Sequence, residues 1–191
     1  RSSAPPGLTF VVVSDDAKEK MKNRKTPIAS FYANLMAFDG YYEKKWFPYT
    51  MPISDIYGLR AAFNLIAGDK TLYERHARIG SATRAAVKEA GLKLHLQSGY
   101  SNTVTVFDIP ECTDAKSILD EMRTKYNIML AGSFDELSGK VIRIGHMGEN
   151  ARLEHMVPAL EALSATLTDL GVTLQGNLAD LFLKHYREFQ D

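Results

Sequence analysis

The stretch with the clearest chemical potential is Lys140–Gly148, in which one arginine stands inside an apolar run. Val141, Ile142 and Ile144 predict a short buried strand, and Arg143 is its one charged residue. A guanidinium keeps its charge in proteins, so a buried one needs an anion beside it. That anion is either a carboxylate of the protein or a ligand carboxylate, which arginine holds through two parallel hydrogen bonds. A third interpretation, in which the side chain reaches solvent at the edge of the sheet, also stays open.

The sequence contains none of the common short motifs of nucleotide, metal or serine-nucleophile chemistry. We find no Gly-x-Gly-x-x-Gly, Walker loop, His-Glu-x-x-His, paired Cys-x-x-Cys or Gly-x-Ser-x-Gly. The histidines have no spacing that would bring two metal ligands to one helix face: His76, His95, His146, His155 and His185. We therefore expect no metal site, and the acidic residue before Cys112 argues against a catalytic thiolate.

The first part of the chain combines one apolar run with helices and an aromatic stretch. Thr9–Val13 is a continuous β-branched and aromatic run, which predicts a strand buried on both faces. A polar helix is predicted over about Asp15–Asn23 and an apolar one over Ser54–Ala67. Between them, Thr26–Phe47 is rich in aromatic residues, and we expect helix in its first part and loop in its second. These aromatic side chains belong either to the core or to an interface with a partner subunit.

The pattern changes near Asp69, where we place a domain boundary, and the remainder predicts a compact α+β unit. The predicted strands are Leu92–Leu96, Asn102–Ile109, Asn127–Ala131 and Val141–Ile144. The predicted helices are Lys70–Ala90, one that Thr113 caps and that ends near Tyr126, Ala151–Leu170, and Asn177–Glu188.

Composition excludes some classes of function. The 191 residues include 23 basic and 23 acidic side chains, so no positive surplus exists for an electrostatic nucleic-acid binder. No apolar run approaches the roughly 20 residues that span a bilayer, and a single cysteine favours a reduced, cytoplasmic location. The chain begins at Arg1 without an initiator methionine, and we expect it to be a piece of a longer polypeptide.

Four motifs in order along the chain carry a resemblance to a known family. They are Ala4-Pro-Pro-Gly-Leu8, Tyr49-Thr-Met-Pro52, Arg75-His76 and Gly139-Lys-Val-Ile-Arg-Ile-Gly-His-Met-Gly148. This ordered set resembles class V aminotransferases of the alanine–glyoxylate and serine–glyoxylate type. The resemblance covers essentially the whole chain, and it implies an α/β enzyme of fold type I that uses pyridoxal phosphate.

The resemblance also implies where the chain lies within such an enzyme. The family's Schiff-base lysine precedes the Ala-Pro-Pro-Gly turn by a few residues, so it is expected immediately before Arg1. No catalytic residue is then expected in this chain. Residues 1–69 would form the end of the large cofactor-binding domain, and residues 70–191 the small C-terminal α+β domain. The implied partners are the N-terminal half of the same enzyme and a second copy in a homodimer.

Three site residues follow from matching positions. Arg143 matches the arginine that binds the substrate α-carboxylate, and Thr50 matches a threonine that reaches the cofactor phosphate of the neighbouring subunit. Phe47 stands where the family often has a phosphate-contacting tyrosine, so Tyr49 is a weaker candidate for that contact. His76, on the apolar stripe of its helix, and His146 are expected to be structural.

The implied reaction is a ping-pong transamination, in which the amino group of alanine or serine passes to glyoxylate or pyruvate by way of the cofactor. The same fold would also suit a transaminase that uses pyridoxamine or ureidoglycine, or a lyase. An alternative of another class is a non-catalytic interaction module that assembles through the aromatic residues of Phe31–Phe47.

Overall fold

The structure is a computed structural model that describes residues 4–189. These residues form two compact units, 4–65 and 66–189. The expected lysine position and residues 1–3 lie outside the described residues. The assignment of the units to a large and a small domain stays a prediction.

The unit 4–65 contains short helices joined by irregular segments. They are α1 (Asp15–Lys22), a 3-10 turn (Leu35–Phe38), α2 (Tyr41–Lys44) and the greater part of α3 (Ile53–Gly68). The prediction for Thr26–Phe47 was wrong in its order, since its first part is irregular and the helical turns lie in its second part. Ser14 caps α1 by accepting a hydrogen bond from the Ala17 N–H at 3.2 Å.

The strand predicted over Thr9–Val13 does not form. The backbone is irregular there, and Phe10 and Val12 are 66% and 97% exposed. A strand needs a neighbour for its N–H and C=O groups, and residues 4–189 offer none to this segment. The run is apolar as predicted, but it pairs with no strand among the described residues.

The unit 66–189 packs helices against a small antiparallel sheet. Its elements are α4 (Leu72–Glu89), β1 (Val104–Asp108), α5 (Ala115–Tyr126), β2 (Val141–Gly145), α6 (Leu153–Asp169) and α7 (Leu178–Glu188). Short 3-10 turns lie at Asp135–Leu137 and Gly148–Asn150. Phe107 of β1 and Ile142 of β2 face the helices and are fully buried, together with Met122, Leu160 and Phe182.

Two of the four predicted strands are reduced to single bridges. Leu94 pairs only with Phe107, and Ala131 only with Arg143. In both cases the start of the predicted strand caps the preceding helix instead. The Leu92 N–H donates to Val87 and the Ile128 N–H donates to Met122, so these backbone groups are not available for a sheet.

The cap of α5 differs from the prediction. Asp114, not Thr113, caps this helix, because its carboxylate accepts a hydrogen bond from the N–H of Ser117 at 3.0 Å.

None of the helices between residues 4 and 189 has the length and apolar composition that a membrane crossing requires.

Candidate functional site

The backbone of Arg143 is held from both sides. In β2 it lies opposite Val106 of β1. On the other side its N–H donates to the carbonyl oxygen of Ala131 at 2.7 Å, and the Ala131 N–H donates back at 3.3 Å. Because residues alternate between the two faces of a strand, Arg143 points away from the buried Ile142 and Ile144. The arginine side chain therefore starts from a fixed backbone position, on the face of the sheet opposite Ile142 and Ile144.

The side chain of Arg143 is half-buried and has donors to spare. Its Nε donates to the carbonyl oxygen of Gly132 at 2.5 Å, and its Cζ lies 5.5 Å from the ring centre of Phe134. Within residues 4–189, neither terminal nitrogen has a hydrogen-bond acceptor and no carboxylate lies within 4.0 Å. The structural-carboxylate interpretation thus has no support in the described part of the chain. The two terminal nitrogens remain able to take a carboxylate side by side.

Gly132 and Phe134 were not singled out from the sequence as neighbours of Arg143. Gly132 orients the guanidinium through its backbone carbonyl, which leaves no side-chain signature. Phe134 is 75% exposed, and only the bridge at Ala131 brings its loop next to β2.

His146, directly after β2, is fully buried. Its Nε2 lies 2.8 Å from the Thr105 hydroxyl and its Nδ1 lies 3.2 Å from the Asn102 carbonyl oxygen. Burial lowers the pKa of His146 from 6.5 to about 4. The ring is neutral at pH 7 and joins the end of β2 to β1.

Arg75 and His76, at the start of α4, contact the turn that follows His146. His76 bonds the N–H of Gly148, and Arg75 bonds the carbonyl oxygen of Ala151. Arg75-His76 and the stretch that ends at Gly148 are two of the motifs that carry the resemblance, but nothing in the sequence indicated that they contact each other.

Thr50 and Tyr49 belong to the unit 4–65 and lie beside a cluster of aromatic rings. The Tyr49 hydroxyl donates to the carbonyl oxygen of Phe31 at 2.9 Å, and its ring stacks on Tyr32 with centres 5.2 Å apart. Thr50 is exposed, and its hydroxyl has no hydrogen-bond partner within the described residues. The donor of Tyr49 is therefore already used, whereas the donor of Thr50 is available.

Among residues 4–189, no group of three or more histidine, cysteine or acidic side chains is placed to hold a metal ion.

Comparison with known proteins adds independent information. No protein-family model matches the chain. An uncharacterized aminotransferase of Methanocaldococcus jannaschii is 36% identical over 88% of this chain and 44% of its own length. Serine–glyoxylate aminotransferase of Arabidopsis thaliana is 35% identical over 96% of this chain and 47% of its own length.

A solved structure agrees with these relatives. Pyridoxamine–pyruvate aminotransferase from Mesorhizobium loti superposes with a TM-score of 0.88 at 32% identity, covering 98% of this chain and 49% of that protein. The chain therefore spans about half the length of the proteins it matches, and the matched half is their C-terminal part.

Proposed function

Because the chain belongs to the class V aminotransferases and corresponds to their C-terminal part, we propose that it forms half of a pyridoxal-phosphate-dependent aminotransferase. The α/β fold of type I, expected from the resemblance, is confirmed by the likeness to solved aminotransferases. The proposed reaction transfers an amino group from a small amino acid, alanine or serine, to glyoxylate or pyruvate.

The observation that carries this proposal is the state of Arg143. Its Nε is bonded to Gly132, while its terminal nitrogens have no acceptor among residues 4–189. A guanidinium held at one nitrogen presents the other two in a fixed plane, which is the geometry that binds a carboxylate through two hydrogen bonds. Amino acids and oxo acids share an α-carboxylate, so one arginine can hold the substrate in both half-reactions. In this role Arg143 orients the Cα–H bond for cleavage.

The cofactor is proposed from the family and from the donors of this chain. Pyridoxal phosphate, when bound, supplies the electron sink that stabilises a carbanion at Cα. The exposed hydroxyl of Thr50 has a free donor within the described residues, which fits a phosphate oxygen. Tyr49 is the weaker candidate, because its hydroxyl already donates to Phe31. We assign to the ring of Tyr49 the role of fixing the loop that presents Thr50.

The partners and location are likewise proposals. The chain covers about half of its relatives, which supports an N-terminal half that carries the lysine. The exposed aromatic side chains of Phe31–Phe47, such as Tyr32 at 81% and Tyr42 at 69%, support a covered surface in the complete enzyme, and we propose a homodimer. A cytoplasmic location rests on the single cysteine.

Other amino donors remain alternatives within the same fold. The likeness to a pyridoxamine–pyruvate aminotransferase favours testing pyridoxamine, and ureidoglycine and a lyase reaction belong to the same panel. A carboxylate-binding arginine serves each of these reactions on an amino acid or oxo acid, so Arg143 does not distinguish them. Activity measured with a panel of amino donors, with glyoxylate or pyruvate as acceptor, distinguishes them. A non-catalytic module ranks last, because it gives no reason for the free terminal nitrogens of Arg143.

The test is Arg143→Gln in the full-length enzyme. We expect the KM for amino acid and oxo acid to rise about 100-fold, the cost of removing one partner of a desolvated charge pair, with cofactor affinity unchanged. Arg143→Lys should recover part of this loss, because lysine keeps the charge but not the paired donors.

The matched control is Arg123→Gln on α5, which removes an exposed arginine bonded to Asp120. Its KM values should equal those of the parent. If Arg143→Gln behaves like this control, Arg143 does not bind the substrate.

A further inference from the structure

The consecutive residues Arg75 and His76 both reach the segment Gly148–Ala151, which follows β2. This segment includes the 3-10 turn Gly148–Asn150 and ends at Ala151, which is fully buried. Gly148 has φ +62°, a conformation that glycine adopts without strain. The first turn of α4 thus touches both ends of a four-residue segment just beyond the arginine strand.

His76 holds the start of this segment through its ring. The Gly148 N–H donates to Nε2 at 3.1 Å, and Nδ1 lies 2.6 Å from the carbonyl oxygen of Leu72. A backbone N–H can only donate and a carbonyl can only accept, so Nε2 must lack a proton and Nδ1 must carry one. One neutral tautomer satisfies both bonds. The histidine is therefore an acceptor placed for the Gly148 backbone.

Arg75 holds the end of the segment. Its Nε donates to the carbonyl oxygen of Ala151 at 2.9 Å. Its other nitrogens bond Asp69 at 2.6 Å and the Thr71 hydroxyl at 3.0 Å, and this pairing holds the pKa of the Asp69 carboxyl well below its usual range. With all three nitrogens engaged, the guanidinium has one orientation. Its role is to fix the Ala151 carbonyl, not to bind a ligand.

The sheet alone does not fix the chain beyond His146. The pairing of β1 with β2 ends at Gly145, and His146 adds its N–H bond to the Thr103 carbonyl and its ring contacts with Thr105 and Asn102. In the segment Gly148–Ala151, the side chains of Arg75 and His76 bond the backbone. Substrate binding by a bidentate arginine depends on sub-ångström placement, so movement at this end of β2 would be transmitted to Arg143.

We propose that Arg75 and His76 are positioning residues for Arg143: by fixing Gly148–Ala151 they hold the end of β2 and so set the affinity for the substrate carboxylate. This inference rests on the proposed function of Arg143. Neither residue touches substrate in it, and both act through the backbone.

The experiment compares variants in the full-length enzyme with pyridoxal phosphate. His76→Leu removes the acceptor for Gly148, and Arg75→Leu removes the donor for Ala151. Each should raise the KM for amino acid and oxo acid about tenfold, the factor that corresponds to one hydrogen bond to a partly buried group, with kcat and cofactor affinity close to the parent. His76→Gln, which can again accept from Gly148, should restore most of the affinity.

Arg78→Leu is the matched control. Arg78 lies on the same helix and donates its Nε to a backbone carbonyl, that of Tyr186 at 2.7 Å, but it contacts α7 instead of the segment after β2. Its loss should lower stability without raising KM. A rise in KM equal to that of Arg75→Leu would mean that the effect is general weakening of the fold, and would overturn the proposal.

Hydrogen–deuterium exchange gives a readout that does not depend on activity. Amides in the peptide covering residues 145–152 should exchange faster in His76→Leu and not in Arg78→Leu. Unchanged exchange and unchanged KM in His76→Leu would overturn the proposal. If exchange rises in this variant while KM stays at the parent value in both His76→Leu and Arg143→Gln, the substrate role of Arg143 has failed instead.

If either leucine variant does not fold, Arg75→Lys decides the question. It keeps a cation beside Asp69 but has no Nε donor in the plane that reaches Ala151. The proposal requires a raised KM and faster exchange in residues 145–152, and a parent-like Arg75→Lys would contradict it.

Discussion

The two units of this chain differ sharply in how they use their apolar residues. The unit 66–189 buries Phe107, Phe182 and Ile79 completely. Among residues 4–65, Ala62 is the one residue that is buried, and Tyr32 and Val12 are 81% and 97% exposed. The unit 66–189 has a core of its own, whereas the unit 4–65 carries apolar side chains that its own residues do not cover.

The aromatic rings of the unit 4–65 show what this difference means. Phe31, Tyr32 and Tyr49 contact one another with ring centres 5.2 to 5.4 Å apart, yet Phe31 and Tyr32 remain mostly exposed. Contact between rings contributes about 1 kcal/mol per pair, which is small beside the transfer free energy of full burial. We infer that these residues are placed for a surface supplied from outside the described chain.

Truncation of an aromatic side chain should give the largest difference in unfolding free energy between the two units. Phe182→Ala removes a fully buried ring and should lower the free energy of unfolding by about 4 kcal/mol. Phe63→Ala, in the other unit, removes a ring that is 45% exposed and should change the unfolding of the same chain by less than about 0.5 kcal/mol. Urea denaturation of both variants measures the difference. Equal losses would mean that residues 4–65 have a core after all.

A pH effect should follow from His146 in the unit 66–189. The folded-state pKa of about 4 lies below the ordinary value of 6.5, so between these values the unfolded chain binds a proton that the folded chain excludes. The contribution of His146 to the free energy of unfolding is therefore fully present above pH 6.5. It falls by up to about 3 kcal/mol as the pH drops to 4. The positive charge of Arg84 also opposes this proton.

The control for this titration is His146→Gln, measured by urea unfolding at pH 7 and pH 4.5. The variant should be less stable at pH 7 and should lose less stability on acidification than the parent. The remaining histidines and the carboxylates are common to both proteins, so only the difference between the two pH profiles counts. Parallel profiles would contradict burial of His146.

Helix caps offer the smallest comparison. Asp114→Ala on α5 removes the acceptor for Ser117 and should cost about 1 kcal/mol in the unfolding of the unit 66–189. Ser14→Ala on α1 removes the same kind of bond, to Ala17, in the unit without a core. It should leave the main unfolding transition unchanged. A matching loss for Ser14→Ala would show that α1 unfolds together with the other unit.

Helices were predicted well from the sequence because their signals are local. Periodicity placed Ser54–Ala67, Lys70–Ala90 and Asn177–Glu188 within two residues of α3, α4 and α7. Strands were predicted less well, because a strand exists only through its neighbour. Thr9–Val13 has the composition of a strand but no partner among residues 4–189, and Leu92 lost its backbone N–H to a helix cap.

The residues of the candidate site also fall into those that a local pattern indicates and those that only the fold brings together. The motif around Arg143 was sufficient to single it out, since a charged residue inside an apolar strand is a local pattern. Its neighbours Gly132 and Phe134, and the contacts of Arg75 and His76, depend on side chains and carbonyls brought together over up to 76 positions. No local pattern encodes such contacts.

The sequence by itself determined the helical periodicity, the family through its ordered motifs, and the one arginine that stands inside an apolar strand. Tertiary structure decided which donors of that arginine are free, which histidine is neutral and buried, and what Arg75 and His76 hold. The reason is physical: propensity and charge belong to a residue, whereas hydrogen-bond saturation and desolvation belong to the groups that surround it.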